Sequence, residues 1–227
     1  MKIKQTIFSV IILIGCFFTA CTPDPAPEVL EANNPLIDKI TTQPQCPLPC
    51  WRGIIPGTSS MEEASDLIQA SPDIEHLTQY FLDYYDVIEW TFADSMGVGK
   101  IEAGFGGQKD TVRRIYFSTQ TQNITLHQVI ANFGEPDYLF FCKNADWDIY
   151  YLEIVYPEKN MVVDLGMVST LTGRVKLTGD ESVNSIALIA PDYFDNAYPL
   201  PTETEHTCAL TWEGYGTYKF ARGRVGK

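Results

Sequence analysis

Two segments that begin alike, sixty-five residues apart, constrain the fold of this chain more than any other feature. Ser60-Met61-Glu62-Glu63-Ala64 opens a helical pattern with Met61, Ala64 and Ile68 on one face and Leu67 beside them. Ser60 and Glu63 have the spacing of a capping box, with Ser59 and Glu62 as an alternative register. Thr125-Leu126-His127-Gln128-Val129 repeats the arrangement, with Thr125 and Gln128 at the capping positions. Its apolar face is Leu126, Val129, Ile130 and Phe133, followed by Gly134 as a stop and Pro136 beyond. Each segment runs into a Pro-Asp pair, Pro72-Asp73 and Pro136-Asp137. So short an amphipathic helix cannot shelter its apolar stripe alone, so each copy needs a sheet to lie on.

The residues after each helix supply one. Val87–Phe92, Ile101–Gly106 and Val112–Ser118 follow the first; Tyr138–Cys142, Ile149–Tyr156, Met161–Met167 and Val183–Ile189 follow the second. All are short and rich in β-branched or aromatic residues, and glycines and prolines punctuate them. The closing strands align as Val112-x-x-Ile115-x-Phe117 and Val183-x-x-Ile186-x-Leu188. The expected class is α+β, with two tandem helix-plus-antiparallel-meander units at 46–120 and 121–194. Each meander would lay one apolar face on its helix and leave the other wet or packed on its twin. Residues 195–227 would form a C-terminal strand or tail on the second unit, where "ALTWEGYGTYKFARGR" spaces aromatics with glycines.

"GIIPGTSSMEEASDLIQASPD" and "ITLHQVIANFGEPD" are similar to the helical segment of the small BamE/SmpA-type outer-membrane lipoproteins. That family carries Gly-x-Thr, a Val-bearing helix and Gly-x-Pro ahead of a three-stranded sheet. The second segment matches through Thr125, Val129, Gly134 and Pro136; the first has Ala64 for the Val and Ser71 where a Gly would stand. The β-lactamase-inhibitor-protein fold is a tandem version of the same unit. The resemblance implies a tandem adaptor-like or inhibitor-like lipoprotein and carries over no partner.

The N-terminus agrees with an exported chain. Lys2 and Lys4 precede an apolar run from Ile7 to Phe18, which reads 1–20 as a signal peptide. The run is too short to span a bilayer, which needs about 20 residues. Phe18-Thr19-Ala20-Cys21 resembles the lipobox of bacterial lipoproteins, making Cys21 the expected lipidated residue; Leu13-Ile14-Gly15-Cys16 offers Cys16 as the alternative. "TPDPAPE" follows, so 21–45 reads as a Pro-rich tether between lipid and domain. Loss of Lys2 and Lys4 would deepen a net charge already at −13. Such a surface repels nucleic acid and anionic lipid headgroups, and no nucleic-acid partner is expected.

Cys46, Cys50, Cys142 and Cys208 remain, an even number that in an exported chain reads as disulfides; four cysteines allow three connectivities. The favoured pairing is Cys46–Cys50, a local clip across two prolines, and Cys142–Cys208, which would tie the C-terminal segment back. Three residues separate Cys46 from Cys50 and Trp51 follows, which fits neither a redox Cys-x-x-Cys nor a haem attachment site. No second close pair of Cys or His completes a zinc set.

His76, His127 and His206 read as surface or capping residues, since no nucleophile on a constrained turn accompanies them. Gly104-Phe105-Gly106-Gly107 reads as a hairpin. Asp192, Asp195 and Asn196 read as a solvated turn, with calcium as the rival. Aromatics are the stronger binding candidates. Ile88, Trp90 and Phe92 share one side of their strand and read most simply as core. If Trp90, Trp147 and Trp212 share a wet face, they would stack on sugar rings or grip a protein, and Trp212, Tyr215 and Tyr218 suit either a last strand or an exposed aromatic ledge. The expectation is a non-catalytic protein-binding or adaptor lipoprotein, held by its lipid outside the cytoplasm of a bacterium, with no cofactor or metal and an unknown protein or glycan as partner. The alternative is a carbohydrate-binding or hydrolytic cell-envelope enzyme.

Overall fold

The computed structural model describes residues 34–42, 46–82, 85–94, 97–103, 110–143, 150–168, 174–198 and 208–219, with backbone alone at 142, 143, 150, 167 and 168. The first element, helix α1 (Pro35–Thr41), lies inside the stretch read as a tether. Asn34 caps it by accepting from the backbone N–H of Leu36 and Ile37, Pro35 takes the first turn, and Leu36, Ile37 and Ile40 are buried. A disulfide joins Cys46 to Cys50. Trp51 next closes a small loop, its N–H bonding Ile54 O at 2.9 Å and its O taking Ile54 N–H at 2.8 Å. Gly53 sits in that loop at φ +84°, a backbone state that glycine adopts without strain.

Helix α2 (Met61–Gln69) starts at Ser60, whose hydroxyl accepts from Glu63 N–H, and buries Met61, Ala64 and Ile68. Helix α3 (Leu126–Phe133) carries the full capping box between Thr125 and Gln128 and buries Leu126, Val129 and Phe133. Strands β1 (Ile74–Leu82), β2 (Tyr85–Phe92), β3 (Val98–Ala103) and β4 (Val112–Ser118) follow α2. After α3 come β5 (Tyr138–Lys143), β6 (Tyr150–Tyr156), β7 (Met161–Val168), β8 (Arg174–Leu177) and β9 (Ser185–Ile189). A short helix α4 (Pro191–Ala197) and strands β10 (Ala209–Thr211) and β11 (Gly216–Lys219) complete the order.

Among the described residues, nine strands form one antiparallel sheet in the order β1-β2-β3-β4-β9-β7-β6-β5-β10, and β8 pairs with β11 separately. The class is thus α+β and mostly β. The two meanders do not stack face on face as one sequence reading allowed: they meet edge to edge where β4 pairs with β9, with Ile115 opposite Leu188 and Phe117 opposite Ile186. Two last strands with free backbone groups satisfy each other there.

Side-chain alternation divides the sheet into an inner and an outer face. The inner row Trp90–Gly99–Phe117–Ile186–Val163–Ile154–Leu139–Leu210 crosses eight strands and packs with the buried faces of α1, α2 and α3 in the main core. Trp90 is fully buried in it, as the core reading expected, which removes it from the candidate binding residues: its ring lies over Gly99, where a Cβ would stand 2.0 Å from it. The outer row Thr78–Glu89–Lys100–Tyr116–Ala187–Val162–Val155–Tyr138–Thr211 turns from polar to apolar halfway across. Its apolar half forms a second, smaller core capped by Phe194 of α4. The "PDYFDNAY" stretch is therefore a helix and not a solvated turn, and the Asn196 side chain is turned to Asp192 O at 2.7 Å.

Candidate recognition surface

The polar half of the outer face is built on β1 to β4. Tyr80 donates its hydroxyl to Glu89 at 3.0 Å, and Lys100 pairs with Glu102 at 3.0 Å. A bulge sets Arg114 opposite Glu102 and Val112 opposite Ala103, leaving Arg113 unpaired in the ladder. Its consequence is that two successive arginines reach the same tyrosine. The Arg113 guanidinium lies 3.4 Å from the centre of the Tyr193 ring, and Arg114 donates to the Tyr193 hydroxyl at 3.4 Å. Among the described residues Arg114 Nε has no hydrogen-bond partner, and it stands 3.9 Å from Glu102. These side chains are half-buried and paired with one another or with Tyr193 of α4.

Where this face meets α4, Glu153 on β6 accepts from the Tyr198 hydroxyl at 3.0 Å and stands opposite Asp164 on β7. Burial pushes the Glu153 carboxyl up to about 7, the Asp164 charge adds to that, and Tyr198 and Arg114 oppose it. Asp164 is likewise raised by burial, against the Gly166 N–H that it accepts at 2.6 Å. Tyr138 donates to Tyr198 O at 3.0 Å, fixing the chain after α4 to β5.

Trp212 and Tyr215 do come together. Their rings meet edge-on at 5.8 Å, Trp212 stacks on Tyr218 at 6.0 Å, and Trp212 Nε1 donates to the Glu135 carboxylate. Tyr215, 42% exposed, closes on Gly179 and faces His127 Nδ1 at 3.4 Å. This ledge lies beside α3 on the inner side, since Trp212 packs against the main core, so it is separate from the outer face. Trp147 and His206 lie outside the described residues, as do Cys16, Cys21 and the Cys142 side chain. Cys208 is disulfide-bonded, and its carbonyl accepts from Phe141 N–H at 2.7 Å. His76 is exposed at the start of β1.

A third feature escaped sequence reasoning. Between α2 and the β1–β2 hairpin runs a groove of about 670 Å³ lined by Glu62, Ser65, Asp66, Gln79, Asp86 and Asp110. Beside it Phe81 is 60% exposed and Leu82 is 40% exposed. Nothing in the sequence joins Asp110 to Glu62; the bond from Met61 N–H to Asp110 O at 2.7 Å does. Among the described residues no group of three His, Cys, Asp or Glu is placed to hold a metal ion. No protein-family model, curated protein or solved structure matches the chain.

Proposed function

We propose that this chain is a non-catalytic recognition protein of a bacterial cell envelope, tethered through lipid on Cys21, that grips a protein partner on the outer face of β1 to β4. The observation that carries the reading is the half-buried polar set on this half-sheet, in which Tyr80 donates to Glu89, Lys100 pairs with Glu102 and Arg114 donates to Tyr193, with Tyr116 beside Lys100 in the row. Tyrosine and arginine supply large contact area with few freely rotating bonds to fix, and side chains already braced lose less entropy on binding.

The frame of this surface is two tandem helix-plus-meander units joined at the β4–β9 seam. Matching hydrogen bonds support that reading. Met61 N–H bonds Asp110 O at 2.7 Å, and Leu126 N–H bonds Glu181 O at 2.9 Å; Val112 N–H bonds Ser59 O at 2.9 Å, and Val183 N–H bonds Ile124 O at 2.8 Å. Each cap residue also forms a bridge, Ser60 with Thr111 and Thr125 with Ser182, one residue ahead of the aligned Val112 and Val183. At the seam, Ile115 faces Leu188 and Phe117 faces Ile186. These are the four residues that the two closing strands align, paired crosswise as a two-fold axis requires. The Cys142–Cys208 bridge completes the proposal, since Cys208 lies beside β5.

The ledge of Trp212 and Tyr215, with Glu135 beside it, favours a second reading in which a sugar ring stacks there. Crosslinking and pull-down from native envelopes separates them. A partner recovered with the wild type and with Trp212→Ala but lost with the double variant Lys100→Ala, Tyr116→Ala supports the outer face. Retention in the double variant rejects it, and binding of envelope glycan abolished by Trp212→Ala puts the ledge in its place. Loss of lipid labelling in Cys21→Ala tests the anchor, and labelling that persists there moves it to Cys16.

A further inference from the structure

The two outer edges of the nine-stranded sheet are treated differently. On one side β5, the first strand after α3, has β10 added beside it in antiparallel register, Ala209 opposite Phe140 and Thr211 opposite Tyr138. On the other side β1, the first strand after α2, pairs with β2 alone among the described residues. Natural sheets protect such edges with lysine, proline, bulges or short strands. β1 has a bulge between Glu75 and Thr78, which deals with its beginning. From Thr78 to Leu82 it is regular, uncharged and free of proline, and it ends on the exposed Phe81 and Leu82.

Register fixes which backbone groups are free. Leu82 faces Tyr85 across a two-residue connection, so that pair and Tyr80–Val87 turn their peptide groups toward each other. The N–H and C=O of Gln79 and Phe81 therefore point away from β2. A strand laid there places alternate side chains on the inner side, next to Gln79 and over the groove of Glu62, Asp66 and Asp86. Those carboxylates select for positive charge. They also count against a second copy of this chain, whose own net charge is −13.

We propose that β1 accepts an extended, cationic segment of a partner protein as a tenth antiparallel strand, with its lysine or arginine side chains turned into the groove beside α2 and its apolar ones beside Tyr80 and Leu82. Backbone bonds from Gln79 and Phe81 hold the segment, and the alternation of charge and apolar side chains gives it its register. This rests on the reading of the chain as a protein-recognition module and names a second place and a mode of binding.

A blocked synthetic peptide alternating lysine with valine, titrated into the full chain by fluorescence anisotropy, is the test. It is expected to bind about tenfold more tightly than its glutamate–valine counterpart, and Gln79→Pro, which removes an outward N–H and no bond to β2, is expected to weaken it by about tenfold. Phe81→Lys, which leaves the backbone intact, is expected to do the same should the proline variant fold poorly. Equal affinity for both peptides, no binding, or unchanged binding in both variants overturns the proposal. So does a wild-type dimer in sedimentation that Gln79→Pro makes monomeric, for then a second copy holds the edge. If Gln79→Pro keeps its envelope partner while Lys100→Ala, Tyr116→Ala loses it, the outer face stands and the edge alone falls.

Discussion

The indole of Trp51 lies on that of Trp90 with ring centroids 5.2 Å apart and planes 15° from parallel. Phe92 and Phe117 meet Trp51 edge-on, and Trp51 Nε1 donates to Lys39 O at 3.1 Å. One residue after the disulfide, Trp51 thus joins α1 to strands β2 and β4, which turns a local clip into the anchor of the front of the fold. Trp51→Ala is expected to cost about 3–5 kcal/mol in urea unfolding, by loss of buried area and the cavity left behind. Cys46→Ser with Cys50→Ser is expected to cost about 2 kcal/mol, since so short a loop restricts the unfolded chain modestly. A disulfide variant as damaging as Trp51→Ala would mean that the clip holds more than this residue.

Gly99 is small because Trp90 covers it. A Cβ there would lie 2.0 Å from the indole, closer than any contact can be, so Trp90 or strand β3 must move. Gly99→Ala is expected to destabilise by about 3 kcal/mol, and its companion Gly99→Ala, Trp90→Leu to recover part of that. A Gly99→Ala variant as stable as the wild type would contradict the packing.

Asp73 gathers cations from two elements. Arg52 forks onto it with two bonds of 2.7 Å, and Lys39, also 3.0 Å from Asp94, adds a third of 2.7 Å. The Arg52 bonds hold its carboxyl well below the ordinary 3.8, against partial burial. A depressed carboxyl contributes stability above its unfolded value, and the contribution fades as pH falls below it. Asp73→Asn should therefore cost about 1–2 kcal/mol at neutral pH, after screening of this partly exposed cluster, and progressively less as pH falls below the ordinary 3.8 toward the folded value. Urea midpoints across that range measure it, and a cost unchanged by acid counts against the ion pairs.

Glu153 has the opposite sign. Its folded value of about 7 exceeds the ordinary 4.5, so its contribution is complete below 4.5 and is lost as pH rises through 7. Glu153→Gln is expected to be near neutral at acid pH and relatively stabilising by about 1–3 kcal/mol above neutrality. The groups facing it are Asp164, Arg114 and Tyr198. A stability difference between variant and wild type that does not change with pH would show that burial does not raise the Glu153 carboxyl.

The elements legible in the sequence are those whose neighbours in the chain specify them. The caps at Ser60 and Thr125 act within three residues, and β4, β7 and β9 announce themselves as short runs rich in β-branched and apolar residues. β1 did not, because an edge strand with a bulge shows no two-residue rhythm of burial. α1 was hidden in a polar, proline-bearing stretch, although Asn34-Pro35 is a helix start in its own right. α4 looked like a loop because a short helix with one buried side chain, Phe194, has no stripe to read. Trp90 and Trp212 look alike in the sequence, yet one is sealed under α1 and α2 and the other lies on a rim. Long-range pairing decides that. The Arg113–Tyr193 contact and the acidic groove likewise join segments that no local spacing connects.

The seam between β4 and β9 has one further consequence. Held in a single chain, its two strands meet at an effective concentration set by the folded connection of α3 and β5 to β8 between them. Severed in the turn at 120–123, the same two strands would meet only by chance encounter, and each fragment would offer a sticky flank to any copy of the other. Continuity of the polypeptide is thus what keeps that pairing within one chain.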